Sequence, residues 1–275
     1  SRQRERIIIV GGDAAGMSAA SQVRRLQPDA EVVAFERTTH TSYALCGLPY
    51  LIAGLVDDPS KLVARTPDAH RRAGIDLRLR SEVIGIDLDR REVIVWDAEA
   101  RREYREPFDR LVLATGARPR TLAVPGREAA GIFTLHSLDD ALALAAWLQN
   151  EHPRQAVVVG AGYVGIEVAE AFVTRGLPTT VLEAAPHVLT LLDPDMAELV
   201  ERAMRDAGID LRTSTPVDGF QTRGGRVVAV DTPHGSVPAD VVVIGIGVEP
   251  NSELAGQAGI ELGDRNAIHV DERCR

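Results

Sequence analysis

Cys46 lies between two glycine-rich turns, and these three features carry the chemistry of the sequence. The first turn is Gly11-Gly12-Asp13-Ala14-Ala15-Gly16, entered from Ile7-Ile8-Ile9-Val10. The second is Gly160-Ala161-Gly162-Tyr163-Val164-Gly165, entered from Ala156-Val157-Val158-Val159. Each follows a short β-branched run and opens an apolar-periodic stretch, the strand–turn–helix setting in which such a turn cradles a pyrophosphate. Glycine lets backbone amides close on the phosphates, and the helix N-terminus presents partial positive charge. Glu36 and Glu183 fall about twenty residues past their turns, at strand ends, where a carboxylate accepts both ribose hydroxyls. Two dinucleotide sites and a thiol point to an electron path from one cofactor, through another, to sulfur.

The two turns are not equivalent. Gly160, Gly162 and Gly165 are all present in the second, whereas Asp13 replaces the middle glycine of the first. A carboxylate there repels a pyrophosphate unless it is turned away. After Glu183 come Ala184-Ala185-Pro186, with no arginine to receive a 2′-phosphate, so NADH is expected in preference to NADPH. Cys46 stands in Ser42-Tyr43-Ala44-Leu45-Cys46-Gly47-Leu48-Pro49-Tyr50, near the start of a helix expected from Tyr43 to about Val56. A helix start favours thiolate, and Gly47 permits close backbone approach. Ser42 precedes the cysteine by four residues, and no second cysteine lies within a helical turn. The thiol therefore pairs with an external thiol or becomes sulfenic acid. Cys274 has none of this context.

The elements that must position these residues repeat. Ile7–Val10, Glu31–Phe35 and Leu111–Ala114 read as buried strands, with a helix over Ala14–Leu26. Arg80 to Pro107 alternates at Val83, Ile84, Ile86, Val93, Val95 and Tyr104, as an antiparallel excursion does. Thr115-Gly116-Ala117-Arg118-Pro119 and Pro125-Gly126 mark a crossover. The second half then runs through a helix at Leu138–Gln149, a strand at Ala156–Val159, a helix at Tyr163–Arg175 and a strand at Thr179–Leu182. A helix at Pro194–Ala207, an excursion over Val217–Val230 and a strand at Val241–Ile244 complete it. The expected fold class is α/β: two Rossmann-like dinucleotide-binding domains, each with a small antiparallel β excursion. The expected division is 1–118, then 119–245 inserted, then a return over 246–275.

Composition narrows the class further. With 45% hydrophobic and 26% charged residues, the 275-residue chain is ordinary globular material that can hold two cores. No apolar run reaches a membrane span, and Ser1 to Arg6 lacks a signal-peptide core. Two distant cysteines make no disulfide framework, which suits a reducing cytoplasm. A net charge of −9 without a basic stripe argues against nucleic acid. The seven histidines show no metal-ligand spacing with either cysteine, so no metal is expected.

These motifs together resemble the single-cysteine branch of the FAD-dependent pyridine nucleotide–disulfide oxidoreductases. That branch contains coenzyme A disulfide reductases, persulfide reductases, NADH oxidases and NADH peroxidases. Both glycine turns, Ser42–Tyr50, Leu113–Pro119 and the exit Gly245–Asn251 carry the resemblance. It implies that Gly11, Gly16 and Glu36 hold the pyrophosphate and adenosine ribose of FAD, and that Thr115 and Gly116 pass close to the flavin. It implies NADH at Gly160, Gly162, Gly165 and Glu183. Gly12, Ala15, Arg37, Val164 and Gly247 complete the cofactor-binding set. Tyr163 resembles the aromatic gate over the flavin, and Glu167 the acid beside the nicotinamide. Ser42, Cys46, Tyr163 and Glu167 form the expected catalytic set.

Two departures bear on the substrate. Oxidases and peroxidases of the branch typically carry a histidine where this chain has Ala14, which lowers those readings. Coenzyme A disulfide reductases often have asparagine where this chain has Leu45, while Ser42 is kept. The expected substrate is a small disulfide or persulfide, with coenzyme A one candidate. The alternatives are an NADH oxidase or peroxidase with Cys46 cycling through sulfenic acid, or an NADH-responsive flavin redox sensor. The resemblance also implies a homodimer in the full-length protein. Its members continue past Val270-Asp271-Glu272-Arg273 into a flavin-contacting Gly-Asp segment and a C-terminal dimerisation domain, which lie outside this sequence.

Overall fold

A computed structural model describes residues 4–275. The chain divides into two compact units. The first holds the residues up to Ala44, Val63–Arg118 and Glu249–Arg275. The second holds Leu45–Leu62 and Pro119–Val248, so the cysteine segment groups with the second unit.

In the first unit a parallel sheet runs in the order Ile75–Arg78, Glu31–Phe35, Arg6–Val10, Arg110–Leu113. Both faces of its inner strands are covered, which is why Ile7–Val10 is an unbroken aliphatic run. Ile7 and Ile9 pack with Met17 and Ala20 of the Ala14–Leu26 helix. Ile8 and Val10 pack on the other face with Val83, Val93 and Val95. Those valines belong to an antiparallel sheet of Ser81–Asp87, Glu92–Asp97 and Arg102–Pro107. Val83 and Ile84 alternate across the strand, so Val83 is buried and Ile84 is 40% exposed, and the register shifts between Val83 and Gly85.

The second unit repeats the plan with one strand added. Its parallel sheet is ordered Asp210–Arg212, Thr179–Leu182, Ala156–Val159, Val241–Ile244, Ile132–Thr134. Its antiparallel sheet has three strands, Gly219–Arg223, Arg226–Thr232 and Gly235–Pro238. Ser137 and Asp140 close a capping box on the Leu138–Glu151 helix, fixing its start at the residue read from sequence.

The repetition extends to single hydrogen bonds. The amides of Gly11 and Gly160 donate to Phe35 O and Leu182 O at 2.9 and 2.7 Å. Those of Glu36 and Glu183 donate to Arg78 O and Arg212 O, both at 2.9 Å. Ser81 and Thr215 return amides to the carbonyls of Glu36 and Glu183 at 2.9 and 2.8 Å.

The expected helix from Tyr43 to about Val56 is corrected by the structure. Leu45–Gly47 is a 3-10 turn, and the α-helix covers only Leu48–Ala53. Pro49 has no N–H for the Leu45 carbonyl and its ring crowds that oxygen, so the α-helix cannot run upstream. Gly54, with φ of 79°, ends it in the left-handed region. Cys46 thus precedes the helix and stands in the turn.

The glycines serve different needs. A Cβ on Gly16 would sit 1.8 Å from Gly11 O, and one on Gly165 would sit 2.0 Å from Gly160 O. At Gly162 a Cβ meets nothing within 4 Å, and φ is −80°. Gly16→Ala and Gly165→Ala should therefore each cost about 2–3 kcal/mol in unfolding free energy by overpacking. Gly162→Ala should cost less than about 0.5 kcal/mol. Urea midpoints at constant m-value measure this, and equal losses at all three positions would contradict the distinction.

Candidate dinucleotide and thiol sites

The second turn opens on a cavity of about 430 Å³. Gly160, Gly162, Glu183 and Gly247 all line it. Oε2 of Glu183 accepts the Ala161 amide at 2.6 Å, and Oε1 accepts the Ala185 amide at 2.8 Å. Each carboxylate oxygen retains acceptor capacity for a ribose hydroxyl. Gly160, with φ of 99°, is required by the backbone, and Gly165 by the close approach of Gly160 O. Gly162 is required by neither, and its missing side chain leaves open space where a diphosphate can approach. These residues fit a dinucleotide. Tyr163, Val164 and Glu167 are exposed on the Tyr163–Thr174 helix, and the four-residue spacing of Tyr163 and Glu167 puts them on one face.

In the first unit, Oε2 of Glu36 accepts the Gly12 amide and Oε1 accepts the Thr38 amide, both at 2.8 Å. A Cβ on Gly12 would lie 2.5 Å from the Glu36 Cβ, so this glycine is dictated by its own glutamate. Ala14 and Ala15 are exposed at the start of the helix, which leaves its N-terminal amides accessible to an anion. Gly11 and Gly16 repeat the close approach seen at Gly160 and Gly165. Arg37 is exposed.

Asp13 answers the electrostatic objection raised by its position. The backbone amides of Tyr43, Ala14 and Ser42 lie near its carboxyl and favour the charged form. Burial raises its pKa above the ordinary aspartate range, those amides pull it back, and Glu36 adds repulsion. Its Oδ1 is buried without a hydrogen-bond partner. Thr41 adds a second stitch, its hydroxyl donating to Gly12 O at 2.5 Å. The flanking loop is thereby tied to the turn.

Thr115 and Gly116 anchor the returning segment of the same unit. The Thr115 hydroxyl donates to Asn251 O at 2.6 Å, while Asn251 Nδ2 donates to Thr115 O at 2.9 Å. The Asn251 amide donates to Gly116 O at 3.0 Å, and Arg118 bridges Glu249 and Glu253. Gly116 is exposed, with φ of 67°.

Cys46 is exposed and unpaired. Within its unit, Arg175 donates from Nη1 to Ile52 O at 2.9 Å. Arg175 ends the helix that begins at the second glycine turn, and its cation meets a C-terminal carbonyl of the Leu48–Ala53 helix that follows Cys46. In the first unit, Ser42 Oγ lies 2.9 Å from Nε2 of His70 on the Pro67–Arg72 helix. Sequence reasoning passed over Thr41, His70 and Arg175. Thr66-Pro67 is a helix-start signature that would have placed His70 on a helix.

Two parallel sheets, each ending in a glycine turn clamped by a glutamate, repeat one α/β plan in the two units, and Cys46 supplies an exposed thiol. The family model for pyridine nucleotide-disulphide oxidoreductases matches residues 5–275, and the chain belongs to that family. A Pyrococcus abyssi NAD(P)H sulfur oxidoreductase (CoA-dependent) is 36% identical over 98% of the chain and 59% of its own length. A Methanocaldococcus jannaschii NADH oxidase is 34% identical over 98% of the chain and 60% of its own length. Among solved structures, reduced Bacillus anthracis CoADR-RHD superposes with a TM-score of 0.95 and 34% identity, over 98% of this chain and 49% of that one. The chain thus spans about 60% of the length of the curated relatives it matches. Among the described residues, no helix is long and apolar enough to cross a membrane.

The raised pKa of Asp13 has a testable sign. Below the ordinary aspartate range both folded and unfolded states are protonated, and the contribution of the protonated carboxyl is fully present. As pH rises through the raised folded value, the wild type loses that contribution and Asp13→Asn does not. The melting temperature of Asp13→Asn minus that of the wild type should therefore rise from about pH 3 to about pH 7. A flat or falling difference would contradict the burial described here.

Proposed function

We propose that the protein is an FAD-dependent NADH:disulfide or NADH:persulfide oxidoreductase in which Cys46 is the sulfur that meets substrate. The observation that carries this reading is the exposed Cys46, followed by Gly47 in a turn, in a chain with two matched, glutamate-clamped glycine turns. FAD belongs with residues 1–118 and 246–275, and NADH with residues 119–245. Bound FAD supplies the two-electron carrier between nicotinamide and sulfur.

The residues divide the remaining work. Amides around Gly11–Gly16 and Gly160–Gly165 receive the two pyrophosphates, and Glu36 and Glu183 the two riboses. Glu183 is fixed by two amides, so its charge stands in the cavity against a 2′-phosphate and favours NADH over NADPH. Tyr163 covers the nicotinamide position until the cofactor arrives, and Glu167 on the same helix face orients it. The Cys46 thiolate attacks one sulfur of a small disulfide, a thiolate leaves, and a mixed disulfide forms on Cys46. Two electrons and a proton then release the second thiol and restore Cys46. The name of the Pyrococcus relative supports coenzyme A as the thiol carrier. Full-length protein is proposed to act as a homodimer.

The Methanocaldococcus relative favours a second reading, an NADH oxidase in which Cys46 cycles through sulfenic acid. Ala14 stands against it, because oxidases of the branch typically carry histidine there.

In the FAD-loaded full-length enzyme, Cys46→Ser should lower disulfide turnover by more than about a thousandfold. Flavin reduction by NADH should be unchanged. Surviving disulfide turnover would overturn the assignment of Cys46. Glu183→Ala should narrow the preference in kcat/KM for NADH over NADPH by roughly tenfold, the scale of one lost charge interaction. An unchanged ratio would remove Glu183 as its source.

A further inference from the structure

The carbonyl and the hydroxyl of Ser42 are both held. Its amide lies near the Asp13 carboxyl, and its carbonyl accepts the Ala64 amide at 2.7 Å. Its hydroxyl meets His70 Nε2 at 2.9 Å and Thr41 Oγ1 at 3.4 Å. Its φ is 49°, in the left-handed region that a serine enters only when its surroundings impose it. His70 is itself 2% exposed, and its Nδ1 is buried with no partner among the described residues.

The direction of these bonds follows from their end. Gly12 O can only accept, so the Thr41 hydroxyl donates to it and leaves Thr41 Oγ1 as an acceptor. A Ser42 hydroxyl that donates to Thr41 Oγ1 accepts in turn from His70 Nε2. One that donates to Nε2 leaves the 3.4 Å Thr41 contact unbonded and a proton on the buried Nδ1. The first arrangement places the proton on Nε2 and none on Nδ1. The orphaned Nδ1 agrees, because a bare buried acceptor is tolerated more readily than a buried N–H without a partner. Burial, with Arg65 second, also keeps His70 below the ordinary histidine range and so neutral.

We propose that His70, neutral and protonated at Nε2, is a positioning residue that fixes the Ser42 hydroxyl through the directed chain His70, Ser42, Thr41, Gly12. The loop entering the cysteine turn is thereby set by a buried imidazole and by the first glycine turn. Ser42 offers its remaining lone pair, and not a hydrogen, to whatever approaches it. The bearing of this chain on turnover rests on the reading of Cys46 given above, whereas the tautomer does not.

The test uses FAD-loaded full-length protein labelled with ¹⁵N-histidine. Long-range ¹H–¹⁵N NMR should show His70 with a protonated Nε2 and a bare Nδ1 from about pH 6 to about pH 8. Ser42→Ala should shift the Nε2 proton. A proton on Nδ1, or an imidazolium over that range, would overturn the proposal. His70→Gln presents an amide N–H in place of Nε2–H, whereas His70→Leu presents none. His70→Leu should lower kcat for disulfide about tenfold at unchanged KM and unchanged flavin reduction by NADH, and His70→Gln should restore it to within about threefold. Equal losses in both variants would mean a packing role and overturn the positioning role. Should Cys46→Ser retain turnover, the functional reading falls while the NMR result still decides the tautomer.

Discussion

A carboxylate that accepts the amide of its own glycine turn is the interaction on which both proposed dinucleotide sites depend. Glu36 holds Gly12 and Glu183 holds Ala161, and the second oxygen of each holds the amide two residues further along the chain. Hydrogen bonds to a charged acceptor contribute roughly 1.5–3 kcal/mol each, more than neutral ones. They fix the strand end relative to the turn, and the third strand is then placed by Arg78 O and Arg212 O. A glutamate read from sequence as a ribose ligand is thus first a clamp, and the ribose would meet a carboxylate already oriented.

The two halves diverge where they meet different neighbours. Ala161 O accepts the backbone amide of Leu189, whereas the corresponding Gly12 O accepts the Thr41 hydroxyl. Gly162 leaves open space, whereas the corresponding Asp13 reaches the amides of Ser42 and Tyr43. The departure from the glycine pattern therefore has a structural purpose. It sets a half-buried carboxyl near the amides of the loop entering the cysteine turn, which the Thr41 hydroxyl ties to the first turn.

Features governed by local rules were legible in the sequence. Both inner strands are continuous aliphatic runs because both faces are covered, and the glycine positions follow from backbone approach distances. The α/β fold was legible for the same reason, and the family through the resemblance of the glycine turns, Ser42–Tyr50, Leu113–Pro119 and Gly245–Asn251. Features set by distant partners were not. His70 is meaningful only against Ser42, Arg175 only against Ile52, and Asp13 only against the amides of Ser42 and Tyr43. The helix expected from Tyr43 is shortened for a local reason, because Pro49 stands in the first turn of the α-helix and bars it from beginning upstream.

The central claim is that NADH reduces sulfur at Cys46. Stopped-flow absorbance of FAD-loaded full-length protein, mixed anaerobically with NADH and then with coenzyme A disulfide, tests it most directly. The account predicts flavin reduction followed by rapid reoxidation on adding the disulfide. Reduced flavin that reoxidises only when oxygen or peroxide is admitted would contradict it.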